Sequence, residues 1–433
     1  MIDTAKIIDL ALSKGFKEVE IDIEKTKNVG INVFNSQVET ANSSENIILN
    51  ICGIYRKRAI YSKVENLSLN SIEATLDSML EAAKIINTDE ESSLFKGGRK
   101  YKTIPAEVCD LADVTLDKKM ALLFEVEKEL LANKKVHKVT NVGYAESHSQ
   151  QAKINSKGLD LMSNVDFGYI YATALFKDGE SFISALEIKA ARKFSEFNSK
   201  KIVKAIIENG VRQLNGVIPE TKGYQVVFSP ETFSTVLSAF ESNFTALAAY
   251  RNLSLLKDKV NTKIAADCVN VLDDPFNKKS FFKNSFDSDG VPTKKRYIIK
   301  NGVFLGFINS LKSAKLLKEK PTGNADGFNN MVLEKTNESL KTVLSNNEGG
   351  IYITSLMGVH AGVQTTSGDF SIQAKGFLIQ NGKLTTSLKQ FVVSGNFYEV
   401  LKNIKAVGND FTFGIGSIGA GSVACGILSI AGK

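Results

Sequence analysis

The residues of this 433-residue chain best suited to binding lie between Gly358 and Phe377, in the order Gly-Val-His-Ala-Gly-Val-Gln-Thr-Thr-Ser-Gly-Asp-Phe-Ser-Ile-Gln-Ala-Lys-Gly-Phe. Gly358, Gly362 and Gly368 leave backbone bare where a substrate chain could come close, while Thr366 and Asp369 offer the side-chain bonds that hold turns. His360 stands in the same loop and could touch a peptide or a partner. After Asp369 the apolar Phe370, Ile372 and Ala374 alternate with Ser371, Gln373 and Lys375, as in a half-buried strand. A peptide could add as a strand beside such a segment, because backbone pairing tolerates many sequences.

Other constellations carry less. His137 and His148 flank Glu146, and alternation puts residues 146 and 148 on one face, but no third ligand is visible and a satisfied surface histidine is the plainer reading. Gly414-Ile415-Gly416-Ser417-Ile418-Gly419 formally matches GxGxxG. A dinucleotide fold needs a βαβ unit and an acid about 20 residues on, and the chain ends too soon for that. Cys52, Cys109, Cys268 and Cys425 are far apart, with no CxxC and no Cys–His spacing, and read as buried free thiols.

Composition fits a soluble globular protein of two or three domains, with 43% hydrophobic and 23% charged residues. Acids interrupt the first residues where a signal peptide would be apolar, and no run approaches ~18 apolar residues, so a cytoplasmic location without membrane is expected. The net charge is +7, and residues 294–320 alone hold Lys294, Lys295, Arg296, Lys300, Lys312, Lys315, Lys318 and Lys320 against Glu319. With only Tyr297, Phe304 and Phe307 among them, these read as a solvated face, with a patch for an anionic substrate or partner as the second reading, and nucleic acid is not the expected partner.

The elements that must position these residues fall into an α+β order. A short helix over Lys6–Lys14 ends at Gly15; Glu18–Glu24, Val29–Val38 and Asn46–Tyr61 read as three antiparallel strands; and Ser71–Asn87 repeats apolar residues from Ile72 to Ile86 at helical spacing. The order recurs with a helix at Leu116–Asn133, strands from Val136 through Ile188 and a helix at Ser199–Leu214. Asn35-Ser36 and Asn155-Ser156 fall at equivalent places. Residues 1–215 therefore read as an α/β domain of two similar helix-sheet-helix modules, 1–90 and 116–215. Residues 216–433 read as a β-rich domain. Within it a helix near 230–248 opens on Ser229-Pro230-Glu231 and carries Phe233, Val236, Leu237, Phe240, Phe244 and Leu247, while Asn301-Gly302 and Asn381-Gly382 mark hairpins.

Four landmarks in order resemble the TldD/PmbA family, called modulators of DNA gyrase and associated with peptide maturation. They are Phe286-Asp287-Ser288-Asp289-Gly290-Val291-Pro292-Thr293, Thr322-Gly323-Asn324-Ala325, the Gly362–Ser371 stretch, and Gly408-Asn409-Asp410. The resemblance implies a metallopeptidase-related protein acting on extended or unfolded peptides. In the TldD branch zinc is held by an HExxxH helix and a cysteine near the C-terminus. Laid on the family through Asp273-Asp274-Pro275, this chain has Ser238-Ala239-Phe240-Glu241-Ser242-Asn243 where that motif belongs, and no histidine lies between His148 and His360. The pattern is similar to the PmbA/TldE branch, which implies a zinc-free subunit, paired with a TldD-like zinc-bearing chain or a second copy of itself. A non-hydrolytic regulatory role of the gyrase-modulator type is the alternative. Gly358, His360, Gly362, Thr366, Gly368 and Asp369 are the expected peptide contacts, with no metal ligand on this chain.

Overall fold

In the computed structural model, which describes residues 3–85, 91–98, 100–325 and 327–433, the first half of the chain builds one antiparallel six-stranded sheet. Its elements are α1 (Thr4–Ser13), β1 (Glu18–Phe34), β2 (Gln37–Tyr55), β3 (Arg58–Val64), α2 (Leu69–Ile85), α3 (Leu116–Leu131), β4 (Val136–Asn155), β5 (Asp160–Asp178), β6 (Ser181–Ala191) and α4 (Ser199–Gln213). The order β3-β2-β1-β4-β5-β6 joins two helix–three-strand–helix units along the β1–β4 pair. Ile86, the last apolar residue of the predicted helical stripe, lies outside the described residues.

One strand differs from the reading of alternation. Residues 18–24 and 29–34 are a single strand, because Lys25–Asn28 stay paired with β2 on one side and β4 on the other. A polar stretch in a central strand still has its backbone satisfied from both sides, so a lapse in hydrophobic alternation does not break it. The turn falls at Asn35-Ser36, both at positive φ (52° and 59°). In the second unit Asn155 closes a longer loop, its side-chain oxygen accepting from Lys157 N at 2.9 Å and Leu159 N at 3.2 Å.

Val19, Ile21, Ile31 and Val33 share one face of β1 by their even spacing. The first two pack with α1 and α2, the last two with α3 and α4. The helix pairs therefore cover opposite ends of the same sheet face. Each buries its own core, and the other face carries the alternate, largely polar residues.

The second half contains β7 (Lys222–Phe228), α5 (Pro230–Ala239), α6 (Ala246–Tyr250), β8 (Val271–Asp273), β9 (Arg296–Lys300), β10 (Val303–Phe304), α7 (Leu311–Leu317), β11 (Met331–Leu333), α8 (Leu340–Ser345), β12 (Ile351–Met357), α9 (Val359–Gly362), β13 (Asp369–Gln380), β14 (Lys383–Asn396), α10 (Phe397–Asn403), β15 (Ala406–Val407), β16 (Ile418–Gly419) and β17 (Val423–Ala431). Strands β14-β13-β12-β7-β17 close into a barrel-like sheet because Val392–Ser394 of β14 also pair with β17. A smaller sheet, β10-β9-β8-β11-β16, lies beside it, and one apolar core serves both. Asn301-Gly302 and Asn381-Gly382 take positive φ and join β9 to β10 and β13 to β14, as the Asn-Gly pairs predict.

The predicted helix over 230–248 is broken. Its start holds, with Ser229 accepting from Thr232 N and Pro230 in the first turn, but α5 stops at Ala239 and α6 restarts after Thr245. The backbone between is used elsewhere: Phe244 O accepts from Ile308 N and Ala246 N donates to Ile308 O, each at 3.0 Å. Phe240 and Phe244 remain fully buried across the break, Phe240 stacked on Phe397 with centroids 4.4 Å apart. The apolar stripe is a core stripe, but a third chain segment interrupts the helix that carries it.

Candidate functional site

The loop leaving β12 begins at Gly358, whose φ of 72° is the left-handed conformation that favours glycine, and makes the single turn α9. A Cβ at Gly362 would overlap the Ser371 carbonyl oxygen, and one at Gly368 (φ 85°) would sit 2.6 Å from the Tyr398 ring. Those two glycines are thus required by packing within the chain. Asp369 accepts from Asn396 Nδ2 at 2.8 Å, which holds its exposed carboxyl below the usual range, and Asn396 also donates to Ser367 O at 2.9 Å. His360 and Thr366 are exposed on the rim of the same loop.

Strand addition beside this segment meets an occupied edge. β13 pairs with β14 from Asp369 onward and with β12 over Gln373–Leu378, and the remaining edge is filled by the loop itself, through Gln364 N to Asp369 O at 2.8 Å and a Val363–Phe370 bridge. The alternation of β13 marks a barrel strand, and a closed sheet offers no edge there.

The loop is tied to the segment that separates α5 from α6. Asn243 is 1% exposed and its Nδ2 donates to Thr365 O at 2.9 Å, while its own carbonyl accepts from Ser254 Oγ at 2.7 Å. Ser238, Ala239 and Asn243 are the residues that the resemblance sets against the two histidines and the glutamate of the motif, and the helix that carries the first two ends at Ala239. Glu241 faces inward: its carboxylate accepts from Phe328 N at 2.8 Å, and burial raises its pKa. Cys425 is fully buried on β17, its thiol pushed well up by burial and directed at Val423 O. These residues do not fit a zinc ion, which needs thiolate or imidazole donors converging around an open position.

Sequence reasoning missed a buried polar cluster beneath the landmark loops. Asp273 is fully buried and accepts from Asn324 Nδ2 at 2.6 Å, Asn329 Nδ2 at 3.0 Å and Asn330 N at 2.9 Å. Asp287 accepts from Asp289 N, Val291 N and Ala325 N at 2.9–3.0 Å, and burial lifts its carboxyl to about 6. The Phe286–Thr293 and Thr322–Ala325 landmarks are thus the two sides of one cage. Arg296, counted with the surface charges, turns inward: Nη2 donates to Thr322 O at 3.2 Å, and burial lowers its pKa. The signal available in sequence was the placement of Arg296 at the head of a strand whose next residues are Tyr-Ile-Ile. Asp410 of the last landmark likewise clamps Ser422, through its backbone N at 2.9 Å and its hydroxyl at 2.6 Å.

The two histidines near Glu146 do not meet: His148 lies between Asp166 Oδ1, 3.1 Å from its Nδ1, and Glu146 Oε1, 4.0 Å from its Nε2, whereas His137 stands edge-on to Phe182 and Glu146 bonds Lys119. Cys52 and Cys425 are buried free thiols as expected, whereas Cys109 and Cys268, which lie outside the helices and strands, are only half-buried.

Comparison with known proteins agrees with this architecture. Residues 109–214 match the profile described as PmbA/TldA metallopeptidase central domain, and residues 221–432 that of the PmbA/TldA metallopeptidase C-terminal domain. The metalloprotease PmbA homolog of Buchnera aphidicola is 25% identical over 410 residues, covering 93% of this chain and 90% of its own. Metalloprotease PmbA of Escherichia coli O157:H7 is 24% identical, covering 100% and 96%. The crystal structure of TldE from Thermococcus kodakarensis superposes with a TM-score of 0.88 at 23% identity, covering 99% of both chains. A Thermotoga maritima structure that carries a provisional DNA-gyrase-modulator name superposes at 0.91 with 24% identity and the same coverage. These likenesses establish the fold, and with both profiles matched in order over most of its length the chain belongs to the PmbA/TldD family.

Proposed function

We propose that this chain is the zinc-free, PmbA/TldE-like subunit of a cytoplasmic peptidase that acts on extended peptides, with zinc held by a TldD-like partner chain. The observation that carries the reading is the bond from Asn243 Nδ2 to Thr365 O of the glycine-rich loop, made by the residue that the resemblance sets against a zinc ligand of the active branch. In the assembled enzyme the exposed rim of that loop, Gly358, His360 and Thr366, faces the peptide, while Gly362, Gly368 and Asp369 hold the rim in shape. Recognition then comes from side chains and bare backbone on the rim.

The test is to purify the chain alone and mixed with a TldD-like relative, and to measure bound zinc, mass and cleavage of an unfolded peptide. Zinc and cleavage are expected only in the mixture, in a species of the summed mass, with loss on adding chelator. One tightly bound zinc per chain, with chelator-sensitive cleavage by this chain alone, would sink the assignment. A non-hydrolytic binding role is the second reading, favoured by the exposed lysines at 294, 295, 300, 312, 318 and 320. It requires DNA affinity that falls steeply with salt, and no band shift at low salt would remove it.

A further inference from the structure

The chain that follows α6 carries apolar side chains on its outside. Tyr250, Leu253, Leu255 and Val260, with Leu305 just past β10, are each 41–57% exposed. The segment is nevertheless built into the domain. Asn252 takes a φ of 57° and Leu253 N donates back to Ala248 O at 2.8 Å, which closes the helix. Ser254 Oγ then donates to Asn243 O at 2.7 Å and Leu256 enters the core, so that Leu253 and Leu255 are left facing outward. Lys259 N donates to Leu256 O at 2.9 Å and Asn261 N to Phe304 O at 2.7 Å, and the chain at Val260 comes beside Leu305.

The cations of this segment are available. Arg251 and Lys259 have no partner among the described residues, and Lys257 donates only to the neutral side-chain oxygen of Asn252, at 2.6 Å. Three cations against Asp258 leave residues 250–260 with an excess of two positive charges. An apolar centre bordered by uncommitted cations has the anatomy of a protein–protein interface, and such a patch left uncovered invites association.

Its place in the fold says what covers it. Ser254 holds the carbonyl of Asn243, and the amide of Asn243 holds Thr365 O, so one residue separates the patch from the glycine-rich loop. A peptide on the rim of that loop meets zinc held by another chain only if that chain seats next to the rim. We infer, on the strength of the peptidase reading, that Tyr250, Leu253, Leu255, Val260 and Leu305 dock the TldD-like partner, which presents an apolar face bordered by carboxylates to Arg251, Lys257 and Lys259.

The test mixes the full chain with a purified TldD-like chain bearing HExxxH and follows amide hydrogen exchange and association together. Slower exchange is expected over residues 253–260 in the mixture. Leu253→Ser combined with Leu255→Ser should weaken association by at least ~10-fold, with the thermal midpoint of the chain alone kept because both side chains are exposed. Arg251→Glu combined with Lys259→Glu should weaken it by ~3- to 10-fold at low salt and by less at high salt. A leucine variant that pairs within ~2-fold of wild type, or a pair whose exchange is unchanged over 253–260, would overturn the inference and leave the peptidase reading standing. So would a dimer of this chain alone, or binding to phosphatidylglycerol vesicles, that the leucine variant abolishes, since the surface would then belong to a second copy or to lipid. If the wild type does not pair with the zinc-bearing chain at all, the peptidase reading falls and this docking surface with it.

Discussion

Each half of the molecule buries a polar cluster, and the two are satisfied by opposite means. Under α3, Lys119 is 2% exposed and its Nζ lies 2.8 Å from both oxygens of Glu146, which also accepts from the Tyr144 hydroxyl. All three side chains come from regular elements. In the C-terminal half, Asp273 and Asp287 are held by asparagine amides and loop N–H groups. The difference teaches what each region depends on. A pair carried by a helix and a strand can be exchanged as a unit, whereas a carboxylate caged by backbone fixes the path of every loop that donates to it.

That contrast can be broken most sharply at Glu146. Glu146→Ala leaves a buried ammonium unpaired and should cost roughly 3–5 kcal/mol by urea unfolding, while Lys119→Met combined with Glu146→Leu should recover most of the loss. A double variant as unstable as the single one would show that the pair is not separable from its surroundings.

The cage predicts a pH effect of the opposite kind. Asp287 titrates near 6 in the folded chain against 3.8 when free, so folding favours its protonated form; the associated stability is fully present below pH 4 and is lost as pH rises through 6. Between pH 4 and 7 the wild type should lose up to about 3 kcal/mol relative to Asp287→Asn, read from paired denaturation curves. Parallel curves for the two proteins would mean that the backbone donors offset the burial in full.

Gly362→Ala tests whether the glycine-rich loop is built by internal packing or kept bare for a ligand. Overlap with the Ser371 carbonyl should cost about 1–3 kcal/mol with no partner or peptide present. A variant of unchanged stability that loses only peptide affinity would return that glycine to the substrate. The smallest effect is expected at Asp369, which is fully exposed: Asp369→Ala should leave the thermal midpoint within the spread of ordinary surface substitutions. A large drop would show that the Asn396 contact holds the barrel rim.

The family landmarks, the helices of the first half and both Asn-Gly hairpins were legible in the sequence, because periodicity and turn chemistry act over a few residues. So was the lack of histidine at 238–243. What those residues do instead was not legible: the break after Ala239 is made by Ile308, and the fate of Asn243 by Thr365, partners remote in sequence. The same holds for the acids of β1. Their alternation is that of any half-solvated strand, and only the tertiary structure places Lys153 against Glu20, 133 residues away, and lays Asp289 and α7 over them. Closure of the barrel belongs with these. Alternation along β13 told which side chains face inward, but whether its edge is open depends on β14 and β17 meeting, and pairing between strands brought together by folding leaves no mark in the local pattern of either.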